Sequence, residues 1–353
     1  MLPGNSPPDK KADMDILDPE NSKIYFEEAA NLLVMPTYII EKDYWVCWVL
    51  NVLFSGPYAE VLTFKGGTSL SKGYKVVERF SEDVDLTIDK NVLALDPNTS
   101  LEEPDLSRSQ RSKRSKSFDE IVAKFILDEF APRLDKAIQE KLAGRAGKNL
   151  VSLQIDPDDP LNLFFNYPKI LDYSDTGYIK PFVRLELGAK GERSPHTIRK
   201  IRPYIAEAMP HAFEREEFAA IPVLAIERTF WEKATILHSV VLRPDDKPVR
   251  ERFSRHYYDT YQMTRDKELT ERILQDISLL EALVANKRAY FFESWDWYET
   301  ARTGSFKLVP GANRQETLSQ DYEAMQEMII GDTPDFSEII ASLQTLEEKI
   351  NQS

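Results

Sequence analysis

The spacing of apolar residues changes twice along this chain. Near the start, apolar positions recur at helical spacing and predict two helices, at 22–35 and 36–54. Short runs rich in β-branched and aromatic residues follow, and such runs are typical of strands. The predicted strands lie at 60–64, 83–88, 150–156, 161–168, 178–188 and, less regularly, near 198–205. From Val223 onward helical spacing returns, with predicted helices at 225–242, 253–264, 269–291, 315–330 and 335–350. This order predicts an α+β fold, a mixed sheet flanked by helices and followed by a helical C-terminal part.

The segments between these elements complete the predicted organisation. A short helix at 68–77 and a long amphipathic helix at 118–143 separate some of the strands. The polar stretch 91–117 is rich in proline and serine, which predicts a long loop. We therefore expect three parts. They are a flexible N-terminal arm at 1–20, an α/β domain at 21–222 and a helical domain at 223–353 that contributes to the cleft.

Composition excludes several classes of protein. The single cysteine, Cys47, lies in an apolar helix, which rules out an internal disulfide and predicts a buried thiol in a reducing cytoplasm. No apolar run approaches the length of a membrane span, so no membrane partner is expected. Four histidines and no C-x-x-C pair disfavour a zinc site.

The net charge of −14 disfavours broad electrostatic binding of nucleic acid but leaves room for local basic patches. Two segments are candidates, 107–117 and 192–203. The first is either a solvated flexible loop or a basic patch, and the second is either an ordinary polar face or part of a site.

The most informative stretch is KGGTSLSKGYKVVERFSEDVDLTI, residues 65–88. Asp83 and Asp85 alternate on a predicted strand, so both carboxylates point to one face and suit a hard divalent cation such as Mg²⁺ or Mn²⁺. The Gly66–Gly67 turn would let backbone N–H groups approach phosphates. Either feature alone is common by chance in a chain with 59 acidic residues. Their order, strand, glycine turn, helix and D-x-D strand, favours metal-dependent phosphoryl or nucleotidyl transfer.

Three further side chains are candidates for the same site. Glu186 alternates with Arg184 on a predicted strand, and is either a third metal ligand or part of an exposed Arg–Glu face. Lys233 would neutralise charge on a leaving pyrophosphate, or is a solvated lysine. Asp259 lies one turn after Arg255 and forms a surface pair unless its helix packs against the site.

These residues resemble those of the AbiEii/AbiGii toxin family of nucleotidyltransferases, which is part of the DNA polymerase β-like superfamily. The resemblance covers residues 20–265 and rests on four motifs in order. The matching positions are Gly66, Gly67, Thr68, Arg79, Ser81, Asp83 and Asp85, then Glu186 in RLELG, Lys233 in ERTFWEKATILH, and Arg255 and Asp259 in RHYYDTYQ. His256 departs from the family pattern, which often has an acidic residue there.

The resemblance implies a nucleotidyltransferase-like fold and a division of roles. Asp83, Asp85 and Glu186 would hold Mg²⁺ or Mn²⁺, Lys233 would neutralise developing charge, and Asp259 would orient that lysine or an acceptor hydroxyl. The implied nucleotide-binding residues are Gly66, Gly67, Thr68, Ser69, Lys72, Arg79 and Ser81.

The resemblance also implies substrates and partners. The donor would be an NTP, and the acceptor an RNA, such as a tRNA 3′ end, or a protein hydroxyl. The setting would be the toxin of a bacterial toxin–antitoxin or abortive-infection pair, with the antitoxin encoded nearby. Two alternatives stay open: a catalytically silent protein that acts by binding, and a kinase-like phosphotransferase.

Overall fold

The computed structural model describes residues 18–96, 100–142, 151–171, 179–214, 216–291 and 297–352. Most of the predicted N-terminal arm lies outside these ranges. None of the helices in this part of the chain combines the length and the apolar character that crossing a bilayer requires.

Two helices open the described chain, close to the predicted positions. Helix α1 spans Pro19–Leu33, and Asp18 caps it by accepting hydrogen bonds from two backbone N–H groups of the first turn. Helix α2 spans Thr37–Ser55 and is buried over most of its length. Its buried thiol at Cys47 agrees with the prediction.

Three consecutive charged residues of α2 are buried, and each holds a different segment. Glu41 accepts a hydrogen bond from the backbone N–H of Ile170 at 2.7 Å. Lys42 donates to the carboxylate of Glu82, and Asp43 pairs with Lys72 at 2.8 Å. Buried charges are stable only when paired, so the two ion pairs of α2 fix the segment that leads into the D-x-D strand.

Seven strands form one mixed sheet in the order β3-β4-β5-β2-β1-β7-β6. The strands are β1 Leu62–Lys65, β2 Asp83–Ile88, β3 Ser152–Ile155, β4 Asn162–Asn166, β5 Val183–Gly188, β6 His196–Lys200 and β7 Ala220–Leu224. Strand β2 pairs antiparallel with β1 and parallel with β5, while β1 pairs parallel with β7. The predicted mixed sheet flanked by helices is therefore confirmed.

A short helical segment connects β1 to β2. Helix α3, Gly66–Thr68, continues directly into a π-helical turn at Ser69–Tyr74. Leu70 and Val77 from this region pack into the apolar cluster of the C-terminal helices. The connection thus links the sheet to the rest of the molecule.

The basic segment 107–117 is helical, so the prediction of a loop over 91–117 is wrong in its second half. Helix α4 spans Arg108–Phe125, and a π-helical turn joins it to α5, Ala131–Leu142. Ser107 and Gln110 form a reciprocal capping box that starts α4 ten residues earlier than the apolar pattern indicates.

The C-terminal part is helical, as predicted. After α6, Tyr204–Ala208, come α7 Ile226–Leu242, α8 Ser254–Thr264, α9 Lys267–Gln275, α10 Ser278–Tyr290, α11 Ala312–Met325 and α12 Phe336–Gln352. The single helix predicted at 269–291 is instead two helices, because the chain leaves helical geometry at Asp276.

Two apolar clusters form the interior. One contains α1, α2 and the strands, and the other is made mainly by residues from Ile226 to Ile350. The backbone joins the two halves where Phe80 donates to Met328 and Ile330 donates to Glu78, at 2.7 and 2.8 Å. The three-part domain division at residues 20 and 222 remains an interpretation.

Candidate active site

A pocket of about 150 Å³ lies where the C-terminal end of β1 and the N-terminal end of β2 meet α7 and α8. It is lined by Lys65, Gly66, Gly67, Arg79, Ser81, Asp83, Asp85, Glu186, Thr229, Glu232, Lys233, Ile236, Arg255 and His256. Strand order explains the gathering of acidic groups, because β2 lies between β1 and β5. The structure therefore brings most of the sequence-predicted site residues together from four elements.

The three candidate metal ligands lie on adjacent strands in register. Asp85 is opposite Glu186 in the parallel pair β2–β5, and opposite Lys65 in the antiparallel pair β1–β2. Asp83 is two residues earlier on β2, so its side chain shares a face with that of Asp85. The pleat of the sheet thus aims three carboxylates at one pocket.

The electrostatics of these carboxylates fit a bound cation. Burial, followed by the charges of Glu82 and Asp85, raises the pKa of Asp83 to about 6. Burial, followed by the charges of Asp85 and Asp83, raises the pKa of Glu186 to about 7. Carboxylates that raise one another's pKa in this way lack sufficient nearby positive charge. Carboxylate oxygens are also the ligands that Mg²⁺ and Mn²⁺ prefer.

The carboxylates are not arranged as a finished metal centre. Within the described ranges, no group of three His, Cys, Asp or Glu side chains has the geometry to hold a metal ion. Glu186 lies 3.3 Å from the guanidinium of Arg184 and also shares a hydrogen bond with Asp85. Holding an ion with all three carboxylates would therefore require side-chain rotation.

Asp259 is the centre of a buried charged cluster beside these carboxylates. Its two oxygens accept hydrogen bonds from Nε and Nη2 of Arg79, at 2.7 and 2.8 Å, and Oδ2 lies 2.8 Å from Nζ of Lys233. All three side chains are buried. Burial by itself would raise the pKa of Asp259, but the two cations hold that pKa well below its usual range. The pKa of Lys233 is lowered by burial and partly restored by Asp259.

Helix α8 therefore packs against the site, and the surface-pair interpretation of Asp259 is wrong. The side chain is fully buried and bonds to residues 180 and 26 positions away in the sequence, not to Arg255. Lys233 is buried and paired with Asp259, so the alternative that it is a solvated lysine is also wrong.

The glycine turn approaches the carboxylates closely. Gly66 has φ +77°, and a Cβ built there would lie 1.9 Å from Oδ2 of Asp85. Thr68 donates its hydroxyl to the carbonyl of Asp83, and Ser69 donates to the carbonyl of Gly66. The Thr68 hydroxyl fastens the turn to β2 and the Ser69 hydroxyl closes the turn itself, so phosphate contacts in this segment would come from backbone N–H groups.

We expect Gly66→Ala to lower both stability and activity. Alanine is disfavoured in the left-handed region, at a cost of about 1–3 kcal/mol, and its methyl group would displace the Asp85 carboxylate. Chemical denaturation and an assay of catalytic turnover would measure the two effects. Gly188→Ala on β5 is the matched control, since a Cβ there would meet no atom of the described residues within 4 Å. Equal behaviour of the two variants would contradict this account of the turn.

Two side chains predicted to bind the nucleotide form ion pairs with carboxylates of the protein instead. Lys72 is buried against Asp43, stands 3.6 Å from the ring centre of Tyr204, and lines a different cavity. Burial would lower the pKa of Lys72, but Asp43 outweighs it and raises the pKa. The structure does not bring Lys72 to the site, so its predicted phosphate contact is unsupported. Arg79 does line the pocket, but its fork binds Asp259.

Sequence reasoning did not assign Lys65, Glu232 and His256 to the site, although all three line the pocket. Lys65 and Glu232 stand next to Gly66 and Lys233 in the sequence. This adjacency was the signal that could have assigned them to the site. The pKa of His256 is lowered well below its ordinary value, first by burial and then by Lys233 and other cations. Among the described residues its Nδ1 atom has no hydrogen-bond partner. A neutral imidazole therefore lies at the edge of the pocket.

A glycine turn beside a D-x-D strand, with a carboxylate on the adjoining parallel strand, is the arrangement that the resemblance implied for a nucleotidyltransferase. The family model described as nucleotidyl transferase AbiEii toxin, type IV TA system, matches residues 48–348. The chain therefore belongs to the AbiEii family of nucleotidyltransferase toxins, and it is a nucleotidyltransferase.

The chain is similar to MenT4, a nucleotidyltransferase toxin from Mycobacterium tuberculosis H37Rv. The two share 16% identity at a TM-score of 0.40, and the match covers 92% of this chain and 97% of MenT4. No curated protein sequence matches the chain.

Proposed function

We propose that this enzyme transfers the NMP group of an NTP to a hydroxyl acceptor, with Mg²⁺ or Mn²⁺ as cofactor. One observation carries the proposal: three carboxylates, the Gly66 turn and Lys233, which pairs with Asp259, border one pocket. In the reaction the acceptor oxygen would form a bond to the α-phosphorus. The bond between the α-phosphorus and the oxygen that bridges to the β-phosphate would break. The products are the NMP-modified acceptor, pyrophosphate and the proton lost by the hydroxyl.

The carboxylates and the glycine turn have separate roles in this proposal. Asp83, Asp85 and Glu186 would hold the divalent ion, which when bound supplies positive charge to the α-phosphate and the leaving group. Gly66 and Gly67 would let the triphosphate lie against the backbone. Ser81 lines the same wall, with its hydroxyl 3.0 Å from the position of a Cβ on Gly67.

Lys233 and Asp259 would act on the leaving group. The ammonium lies at the pocket wall and would stabilise charge that develops on pyrophosphate. Asp259 fixes the ammonium at 2.8 Å, and Arg79 fixes Asp259 through two bonds. A charge held in place before the reaction needs no reorganisation during it.

For the acceptor we propose an RNA, such as a tRNA 3′ end, or a protein hydroxyl. The family's description as a type IV toxin–antitoxin system supports a bacterial setting with an antitoxin encoded nearby. The buried free thiol of Cys47 supports a reducing, cytoplasmic compartment.

Labelled nucleotides test the function directly. The protein is incubated with each of the four α-labelled NTPs, a divalent metal and total bacterial RNA or protein. We expect label in the acceptor with at least one NTP, and no label with Asp83→Ala. A γ-labelled NTP in parallel should leave the acceptor unlabelled, whereas a kinase-like phosphotransferase would transfer only the γ-label. If NTP binds but no acceptor is labelled with any metal, the protein is a catalytically silent member of the family.

A further inference from the structure

His256 lines the carboxylate pocket, and the proposed function gives it no role. It lies in the first turn of α8, three residues before Asp259. The same side chain also borders an adjoining cavity of about 370 Å³. A ligand held in the carboxylate pocket would therefore lie within reach of a histidine that the transfer has not yet used.

The surrounding structure fixes the position of the imidazole. The backbone N–H groups of Arg252 and Ser254 donate to the carboxylate of Asp321 on α11, at 2.6 and 2.8 Å, and these bonds hold the start of α8. The ring of Phe253 meets the imidazole edge to face, with 5.2 Å between ring centres. The imidazole is thus held in place before any ligand binds.

The two ring nitrogens of His256 have different surroundings. Nδ1 is enclosed by protein and has no hydrogen-bond partner within the described part of the chain. The side chain as a whole is half-buried and reaches the pocket. The nitrogen that can meet a ligand in the pocket is therefore Nε2.

The charges around the ring keep it neutral. Burial, followed by the charges of Lys233 and Arg255, lowers the pKa of His256 well below its ordinary value, and Asp259 opposes them only in part. A neutral imidazole has one proton, which is bound to one of the two nitrogens.

The environment of Nδ1 places that proton on Nε2. An N–H group at Nδ1 would be a buried donor without an acceptor, which is costly. A lone pair at Nδ1 is favoured instead, because the positive charges of Lys233 and Arg255 attract it. The imidazole therefore presents an uncharged N–H donor to the pocket.

This arrangement argues against His256 as a general base. A base would need the lone pair on Nε2, where the proton is held. Taking up a second proton would also create a cation beside Lys233, Arg255 and Arg79, whose charges already oppose it. A donor role needs neither change.

Lys233 indicates which part of the nucleotide the donor would meet. Both side chains line the pocket, and Lys233 is the charge with the largest effect on the pKa of His256, so the two are neighbours. Under the proposed function the lysine acts on the leaving pyrophosphate. A hydrogen-bond donor fixed beside it would act on the same developing charge.

We propose that His256 is a further catalytic residue, whose Nε2–H group donates a hydrogen bond to an oxygen of the leaving pyrophosphate. The proposal rests on the nucleotidyl transfer proposed above. As the bond between the α-phosphorus and the bridging oxygen breaks, its electron pair passes to that oxygen, and the pyrophosphate gains negative charge. The hydrogen bond stabilises this charge, and His256 neither gains nor loses a proton.

Three variants of His256 test the role of Nε2. His256→Leu removes the donor, and His256→Asn places an amide near the position of Nδ1. His256→Gln places an amide N–H near the position of Nε2. We expect Leu and Asn to weaken the binding of magnesium pyrophosphate by about 10-fold, as for one lost hydrogen bond to a charged group. Calorimetric titration measures this affinity, and the affinity for an NMP should not change.

Turnover gives a second measurement of the same contact. Loss of a donor that faces developing charge should lower kcat of the Leu and Asn variants by about 100-fold, with a much smaller change in KM. His256→Gln should recover most of both the affinity and kcat. A role in packing alone would not distinguish Gln from Asn in this way.

His211→Leu is the matched control, because His211 is exposed and lies outside the lining of both cavities. It should bind pyrophosphate as the unmodified protein does, and thermal melting should show that every variant is folded. The proposal is wrong if His256→Leu binds pyrophosphate normally, if Gln loses as much affinity as Asn, or if NMP binding weakens equally. Pyrophosphate binding needs no acceptor, so this test can succeed where α-label transfer fails, and the reverse also holds.

Discussion

Asp85→Asn is expected to lower the rate of NMP transfer by about 1,000-fold while the protein stays folded. Asp85 is the middle carboxylate of the site, opposite Glu186 on one side and Lys65 on the other. An amide offers the metal one neutral oxygen in place of a charged carboxylate. The site therefore has less negative charge and one coordinating oxygen fewer for the metal. A metal supplies several kcal/mol to such reactions, and about 4 kcal/mol corresponds to 1,000-fold.

The thermal midpoint distinguishes loss of chemistry from loss of fold. Asn is almost the same shape as Asp, and it removes a charge that raises the pKa values of Asp83 and Glu186. The metal-free variant should therefore melt at the same temperature as the unmodified protein, or higher. Added Mg²⁺ and NTP should stabilise it less than the unmodified protein. Asp128→Asn, on an exposed turn outside the pocket lining, is the isosteric control and should keep full activity.

Asp259→Asn should have the largest effect on stability of any single change at the site. The carboxylate is fully buried and accepts two bonds from Arg79 and one from Lys233. Removing the anion leaves two buried cations without compensation. Loss of one partner of a buried ion pair costs about 3–5 kcal/mol, which chemical denaturation would measure as a fall in the free energy of unfolding. NMP transfer should fall as well, because nothing then fixes Lys233.

Lys233→Met separates the loss of stability from the loss of NMP transfer. In this variant Asp259 keeps its two bonds to Arg79, so the free energy of unfolding should fall by less than in Asp259→Asn. Transfer should still be lost, because the charge that we propose to stabilise the leaving group is gone. If Lys233→Met transfers NMP at the normal rate, the lysine has only a structural role.

The local parts of the site were predictable from sequence because they depend on short-range geometry. Alternation along β2 places Asp83 and Asp85 on one face, and glycine at 66 permits the positive φ that brings the turn to Asp85. The roles of Arg79 and Lys72 were not predictable in this way. Both lie in the same motif, yet one bonds to a carboxylate 180 residues away and the other turns to α2.

The boundaries of helices also divide into those that the sequence predicted and those that it did not. The apolar pattern predicted a helix from residue 118, but the capping box at Ser107 and Gln110 begins α4 within a polar stretch. Periodicity reports only the face that is buried, and the first turns of α4 bury little. Arg111 and Arg114 hold these turns to backbone carbonyls of the preceding loop, an interaction that leaves no apolar signature.

By itself the sequence determined the order of helices and strands, the metal-suited D-x-D strand with its glycine turn, and the family resemblance that the match over residues 48–348 supports. Tertiary structure alone decided which distant charges meet. It buried Asp259 between Arg79 and Lys233, which lie 180 and 26 positions away in the sequence. The physical reason is that local geometry is encoded by neighbours in the chain. Charge pairing across a core depends instead on how the sheet and the C-terminal helices pack.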